Sequence, residues 1–237
     1  MFNDMIKKAI VKSQRCQRNW DLSRGIPEDD LEVIKTAVTQ CPSKQNIQFY
    51  TPYFITDRSK IEKIHKYSIG ANTTNVATGE QKMATNSQLL ANLLVVLVED
   101  YDPKQSTRNQ VAKLFFGEPY LASDIADRFE LEFHHKGDLV EMVEDHAKDW
   151  ERDKNVAVGI AAGYMNLTSA MLGYSTGCCQ CFSQEMVRDI LGIEEERRIL
   201  LIMGIGYPDP ERPRREHHAE AGQFFPSFTK DIEVVQL

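Results

Sequence analysis

The sequence predicts a mixed α/β protein, built as one large domain or two small ones. Three observations carry this reading: the length, two short aliphatic runs, and a helical stretch that is small or apolar nearly all round. At 237 residues the chain buries most of its apolar surface without disulfide or metal staples. Leu93–Val98 and Ile199–Ile205 are continuous in aliphatic character, which fits strands covered on both faces better than half-exposed ones. Val156–Leu172 contains Gly159, Ala161, Ala162, Gly163, Ser169 and Ala170. A helix with so little polar surface belongs at the centre, where small residues let neighbours approach closely.

The remaining elements follow in chain order. Met5–Arg18 reads as a helix with Ile6, Ala9, Ile10 and Ser13 on one face. Pro27 opens a second helix, and Glu28, Asp29 and Asp30 in its first turn favour the helix dipole. Leu31, Ile34 and Val38 form its apolar stripe toward Gln40. Cys41-Pro42-Ser43 ends it, since the residue before proline is pushed out of the α region. Gln48–Thr56 has the aromatic and β-branched composition of a strand. Asp57–Tyr67 reads as a short helix, and the small, polar Ser68–Gly79 as a loop. The middle region holds helical patterns at Thr107–Phe116 and Gly137–Lys154. The second is acidic and reads as an exposed helix, with a cover over a substrate pocket as the alternative. Gly173 stops the small-residue helix; Tyr174–Phe182 reads as a strand or extended turn and Gln184–Leu191 as a helix. From Pro208 the tail is rich in Pro and Arg. It cannot form its own core, and must lie over the body or over a partner subunit.

Charge and motifs narrow the function. A formal net charge of -7 argues against general nucleic-acid binding, which needs a basic face. No apolar run approaches the ~20 residues of a membrane helix, and Met1–Arg18 has no continuous apolar core of a secretory signal. Five cysteines, odd in number and partly clustered, make no disulfide framework; a reducing cytoplasm is the simpler setting. Neither G-x-S-x-G nor H-E-x-x-H occurs. His134-His135 and His217-His218 lack the i, i+4 spacing of helix-borne metal ligands and read as solvent-exposed polar pairs. Cys178-Cys179-Gln180-Cys181 has no second cysteine pair to complete a zinc site, so packed thiols are the simpler reading. The absence of G-x-G-x-x-G after a first strand leaves no Rossmann fingerprint. A nicotinamide, if used, binds transiently.

Four pieces remain: Arg15-Cys16-Gln17-Arg18-Asn19-Trp20, the stretch Cys41–Tyr50, Gly206-Tyr207-Pro208, and Arg212-x-Arg214-Arg215. Together with the small-residue helix they resemble, in order and spacing, the FMN-dependent nitroreductase family. The resemblance spans roughly 10–54 and 155–215, with a weaker stretch around 84–98. The fold it implies is α+β: three layers, with a central mostly antiparallel sheet flanked by helices, in an intertwined homodimer. The whole chain, 1–237, would be one such domain, with an insertion at about 101–154 covering the substrate side and a C-terminal arm from about 208. The implied cofactor is bound FMN, with NADH or NADPH as transient donor. A small acceptor of the nitroaromatic or quinone class would then be reduced by a ping-pong route, with flavin N5 carrying the chemistry and no catalytic side chain.

The resemblance also assigns residues. Arg15, Arg212 and Arg214 would clamp the flavin phosphate, with the backbone around Cys16 assisting; guanidinium forks match phosphate oxygens in paired hydrogen bonds. Arg18 would reach the ribityl chain and the N1/O2 edge, where a cation stabilises the anionic reduced flavin. Pro42, Ser43 and Asn46 would contact the ring edge from the neighbouring subunit. Asn86, or alternatively Gln88, would meet the ribityl chain or ring, and the backbone at Cys179, Gln180 and Cys181 would run along N5 and O4. The sequence departs from the family at Gln14 (usually Arg, so that either Gln14 or Arg15 would take that phosphate contact), Cys16 (Ser), Phe49-Tyr50 (Pro-Trp) and Cys181 (Gly). Two rivals share the fold: a specialised member performing reductive dehalogenation or flavin fragmentation, decided by the middle region, and a flavin-binding dimer with little turnover, motivated by Cys181.

Overall fold

A computed structural model of the chain describes residues 2–44, 47–100, 136–227 and 232–236. Five helices are present among the described residues: α1 (Phe2–Ser13), α2 (Glu28–Thr39), α3 (Arg58–Lys66), α4 (Lys136–Met171) and α5 (Gln184–Leu191). The strands are β1 (Trp20–Asp21), β2 (Tyr50–Ile55), β3 (Ala71–Asn75), β4 (Gln81–Ala84), β5 (Leu93–Glu99), β6 (Ser175–Cys179), β7 (Ile199–Pro208), β8 (Glu216–His217) and β9 (Glu220–Phe224).

The central sheet is antiparallel throughout. β7 pairs with β5 on one side and with both β6 and β1 on the other, and β2 borders β5. Side chains alternate across a strand, and β5 shows the consequence. Leu93, Val95 and Leu97 pack with Leu31, Ile34 and Val38 of α2 and Val158, Ala161 and Met165 of α4. Leu94, Val96 and Val98 pack on the opposite face with Ile61 and Ile64 of α3 and Val187 of α5. Helices therefore cover both faces in an α+β, three-layer arrangement, and the aliphatic run of β5 is continuous because neither face meets water.

A short 3₁₀ turn, Ser87–Leu90, presses onto β7. Two glycines permit this. A Cβ at Gly204 would stand 2.2 Å from the Gln88 carbonyl oxygen, and one at Gly206 would stand 2.0 Å from Asn92 Oδ1. The close approach brings Asn86, the residue capping that turn, beside β6.

Four expectations change. α1 ends at Ser13 instead of reaching Arg18, because the backbone beyond it is bonded elsewhere: Gln17 N–H donates to Thr176 O and Arg18 N–H to Arg214 O. The stretch 68–79 is not a loop throughout. β3 forms there and pairs with β4 and with β9 of the tail, so its polar residues are in a strand because a distant segment offers an edge. Gly137–Lys154 and Val156–Leu172 belong to one helix, α4, with no proline or cap between them to stop it. That helix is also not buried all round: Val158, Ala161, Met165 and Ser169 face the interior, whereas Gly159, Gly163 and Tyr164 lie exposed. The tail lies over the body, through β8 and β9, as the sequence implied. The helix expected at Thr107–Phe116, and most of the expected insertion, lie outside the described residues. No helix among the described residues is long and apolar enough to cross a membrane.

Candidate functional site

The site is built around the extended segment between α1 and β1. Its backbone is fixed by buried polar side chains. Gln17 Nε2 donates to Asn19 O (2.7 Å), Asn19 Nδ2 to Pro213 O (2.5 Å), and Trp20 Nε1 to Ser87 O (2.9 Å). Arg18 therefore leaves a rigid stretch of chain. Its Nη1 donates to Asn86 Oδ1 at 2.6 Å, and Asn86 Nδ2 points on to Cys179 Sγ at 3.0 Å. The guanidinium carbon of Arg18 lies 4.1 Å from the centroid of the Phe225 ring, a cation–π contact. Burial pulls the Arg18 pKa below its ordinary value, and the nearby Arg214 charge pulls the same way.

Arg214 lies between further cations. Burial comes first, then repulsion from Arg15 and Arg215, in lowering its pKa. Among the described residues, neither Arg15 nor Arg214 forms an ion pair. Exposed Cys16 sits close enough for its thiol to register electrostatically at both Arg18 and Arg214. Gln14 is exposed just beyond α1. Arg15, Cys16, Arg18, Asn86, Cys179 and Arg214 thus share one neighbourhood.

Other expected members are placed elsewhere. Arg212 turns to its own hairpin, donating to His218 O and His217 O (both 2.8 Å) and pairing with Glu216 at 3.1 Å. Three of its contacts thus go to folding the tail. Pro42 and Ser43 precede β2, and Ser43 Oγ donates to Ile47 O (2.8 Å). Since β2 and β6 are separated by β5 and β7, three spacings of about 4.8 Å divide these strands. One chain alone does not bring the Pro42–Ser43 segment to Arg18. Asn46 lies outside the described residues. Gln180 is exposed, its Nε2 reaching Leu200 O at 3.4 Å.

Two of the three clustered cysteines, Cys178 and Cys179, behave as packed thiols; Cys181 does not. All five are free. Burial pushes Cys178 up to about 12 and Cys179 up to about 11. Neither therefore supplies a thiolate at neutral pH, as a redox-active cysteine must. Cys181 lies past the end of β6 and is exposed.

The histidine pair in the tail overturns its expectation. His217 is fully buried rather than solvent-exposed. Its Nε2 lies 3.0 Å from Thr85 O, its Nδ1 accepts from Ala219 N–H at 3.2 Å, and its ring stacks on Phe225 with centroids 5.7 Å apart. His218 Nδ1 accepts the Trp20 backbone N–H at 3.1 Å. Dipeptide spacing could not reveal this, because the partners come from residues remote in sequence. Phe225 was missed for the same reason; two adjacent aromatics in a polar tail were its only signal. No group of His, Cys, Asp or Glu among the described residues is placed to hold a metal ion.

Comparison with known proteins agrees with this architecture. The Nitroreductase family profile matches residues 11–207. The Nitroreductase Family Protein from Streptococcus pneumoniae superposes with a TM-score of 0.61 at 16% identity, over 99% of this chain and 100% of that one. An FMN complex of a protein ascribed to the nitroreductases, from Exiguobacterium sibiricum, gives 0.58 at 16% identity over 94% and 91%. A protein ascribed as an NAD(P)H:FMN oxidoreductase, from Staphylococcus epidermidis, gives 0.54 at 18% identity over 88% and 87%. Among curated proteins none matches. With 197 residues inside the family profile (11 to 207 inclusive) and the same antiparallel three-layer fold, the chain belongs to the Nitroreductase family of oxidoreductases.

Proposed function

We propose that this chain is an FMN-dependent oxidoreductase that takes hydride from NADH or NADPH and reduces a small acceptor of the nitroaromatic or quinone class in a ping-pong sequence. The observation that carries the reading is the gathering of Arg15 and Arg214 beside Arg18 with no carboxylate among them. Like charges held together raise the energy of the empty site, and a ligand phosphate relieves it with charge-assisted hydrogen bonds. The donor set fits a flavin phosphate, which carries close to two negative charges near neutral pH.

In this reading Arg15 and Arg214 bind the phosphate, and Arg212 holds the hairpin that carries Arg214. Arg18, oriented by Asn86, places its charge toward the N1/O2 edge. The backbone at Cys179, Gln180 and Cys181 supplies amides along the opposite edge. The bound flavin supplies the two-electron chemistry, so orientation and electrostatics, not a side-chain acid or base, are what the protein contributes.

A homodimer completes the site. The outward face of α4 exposes Val156, Gly159, Gly163, Tyr164 and Met171, and the neighbouring α1 exposes Met5 and Val11. Such a strip of small and apolar residues marks a surface for another helix. A second copy docked there would bring its Pro42, Ser43 and Asn46 loop to the cofactor.

Purified protein is expected to be yellow, to bleach with NADH or NADPH, to recolour with a nitroaromatic or quinone, and to sediment as a dimer of the 27.1 kDa chain. Colourless protein that takes up no FMN on incubation would overturn the proposal.

A further inference from the structure

Arg18 is a half-buried cation without an acidic partner among the described residues. Half-buried guanidiniums usually gain a carboxylate, which fixes them and cancels their charge. Here two uncharged groups do the fixing. Asn86 Oδ1 accepts from Nη1 at 2.6 Å, and the Phe225 ring lies under the guanidinium carbon at 4.1 Å. An aromatic face orients a cation through its quadrupole while leaving the full charge available to a ligand.

Phe225 is itself held firmly. It is 2% exposed. Its N–H donates to Arg215 O at 2.9 Å, and its carbonyl accepts from Arg215 Nη1 at 3.0 Å. Its ring stacks on His217, and the hydrogen bonds of His217 define a neutral imidazole: Nε2–H toward Thr85 O and Nδ1 accepting from Ala219. A neutral ring there adds no repulsion to the cation on Phe225. Every part of this support belongs to the tail hairpin or to Thr85, just past β4.

We propose that Phe225 is the positioning residue of Arg18, so that the C-terminal hairpin sets the orientation of the cation at the cofactor's ring edge. The part concerning the cofactor rests on the flavin reading above; the stack itself does not.

The test separates the two. In flavin-free protein the Arg18 guanidinium proton resonances should be shifted upfield by the ring beneath them, and Phe225→Leu should abolish that shift. In the holoprotein Phe225→Leu should raise the FMN Kd about fivefold and lower the flavin midpoint potential, and Phe225→Trp should stay within about twofold of wild type on both counts. In an Arg18→Ala background Phe225→Leu should change neither quantity, because coupled residues are non-additive. Absence of the upfield shift in wild type overturns the proposal whether or not any variant folds. So does a Phe225→Leu variant that binds FMN like wild type, or one that loses the same factor with and without Arg18. Wild-type protein that shows the shift but binds no FMN overturns the flavin reading and supports the stack.

Discussion

At the end of β5, Glu99 accepts from Lys154 (2.5 Å) and from Arg198 (2.6 and 3.0 Å), and Glu151 closes the group with bonds of 2.7 Å from Lys154 and 2.8 Å from Arg198. On the far side of β7, the guanidiniums of Arg15, Arg18 and Arg214 gather with no carboxylate among the described residues. The first cluster has two acids and two bases and satisfies itself. It staples α4 to the sheet, and Lys154, 1% exposed, has nowhere else to send its charge. The second cluster has charges of one sign. A closed network needs nothing further, so it reads as structural; an open one is raised in energy until an anion arrives. On the proposed function, the sum of charge in a polar cluster, more than its burial, separates scaffold from site.

The largest effect should come from breaking the closed cluster. Lys154→Ala leaves Glu99 and Glu151 with only Arg198, and should lower the unfolding free energy by about 3 kcal/mol, as expected when one partner of a buried pair is removed. Urea denaturation measures this, and a loss under about 1 kcal/mol would contradict a structural role.

Arginine removal should act oppositely in the two settings. Arg214→Ala relieves repulsion, so stability should hold or rise while FMN affinity falls by roughly tenfold, the worth of a charge-assisted hydrogen bond. Arg212→Ala should lower stability by about 1 kcal/mol through its lost carbonyl contacts and leave FMN affinity nearly unchanged. Flavin fluorescence titration and urea melts on both variants decide it. Equal losses of affinity would restore Arg212 to the clamp.

The smallest effect is in pH. Burial alone would raise Glu99, but the bonds from Arg198 and Lys154 outweigh it and hold the carboxyl below its ordinary 4.5; Glu151 is also lowered, chiefly by Lys154. Their contribution is complete above the unfolded carboxylate pKa and is lost as pH falls through the folded values. Burial above all, with the Arg58 charge acting in the same direction, pushes His65 down from 6.5 to about 4. Between those values the unfolded chain takes the proton and the folded one does not, so acid removes stability there too. Melting temperature should therefore fall from pH 6.5 downward. His65→Asn should lessen the slope above pH 4 without removing it, because burial also lowers His217 and His218, and should leave the carboxylate part in place.

How much of this was legible depended on distance along the chain. α2 between Pro27 and Cys41, α5, and the doubly covered β5 were all readable, because caps, proline breaks and aliphatic continuity are properties of neighbouring residues. The resemblance carried by the order and spacing of short motifs also singles out Arg15, Arg18, Asn86, Cys179 and Arg214, and the fold gathers them. Tertiary structure alone decided the rest. β3 is a strand because β9 pairs with it through Thr74↔Phe224 and Asn75↔Gln223. Arg212 faces its own hairpin while Arg214, two residues on, faces other arginines. His217 is buried because Thr85 and Phe225 close over it. Local sequence encodes backbone propensity and the pattern of burial. The direction of a side chain, and whether its charge is answered, is set by partners that only folding brings near.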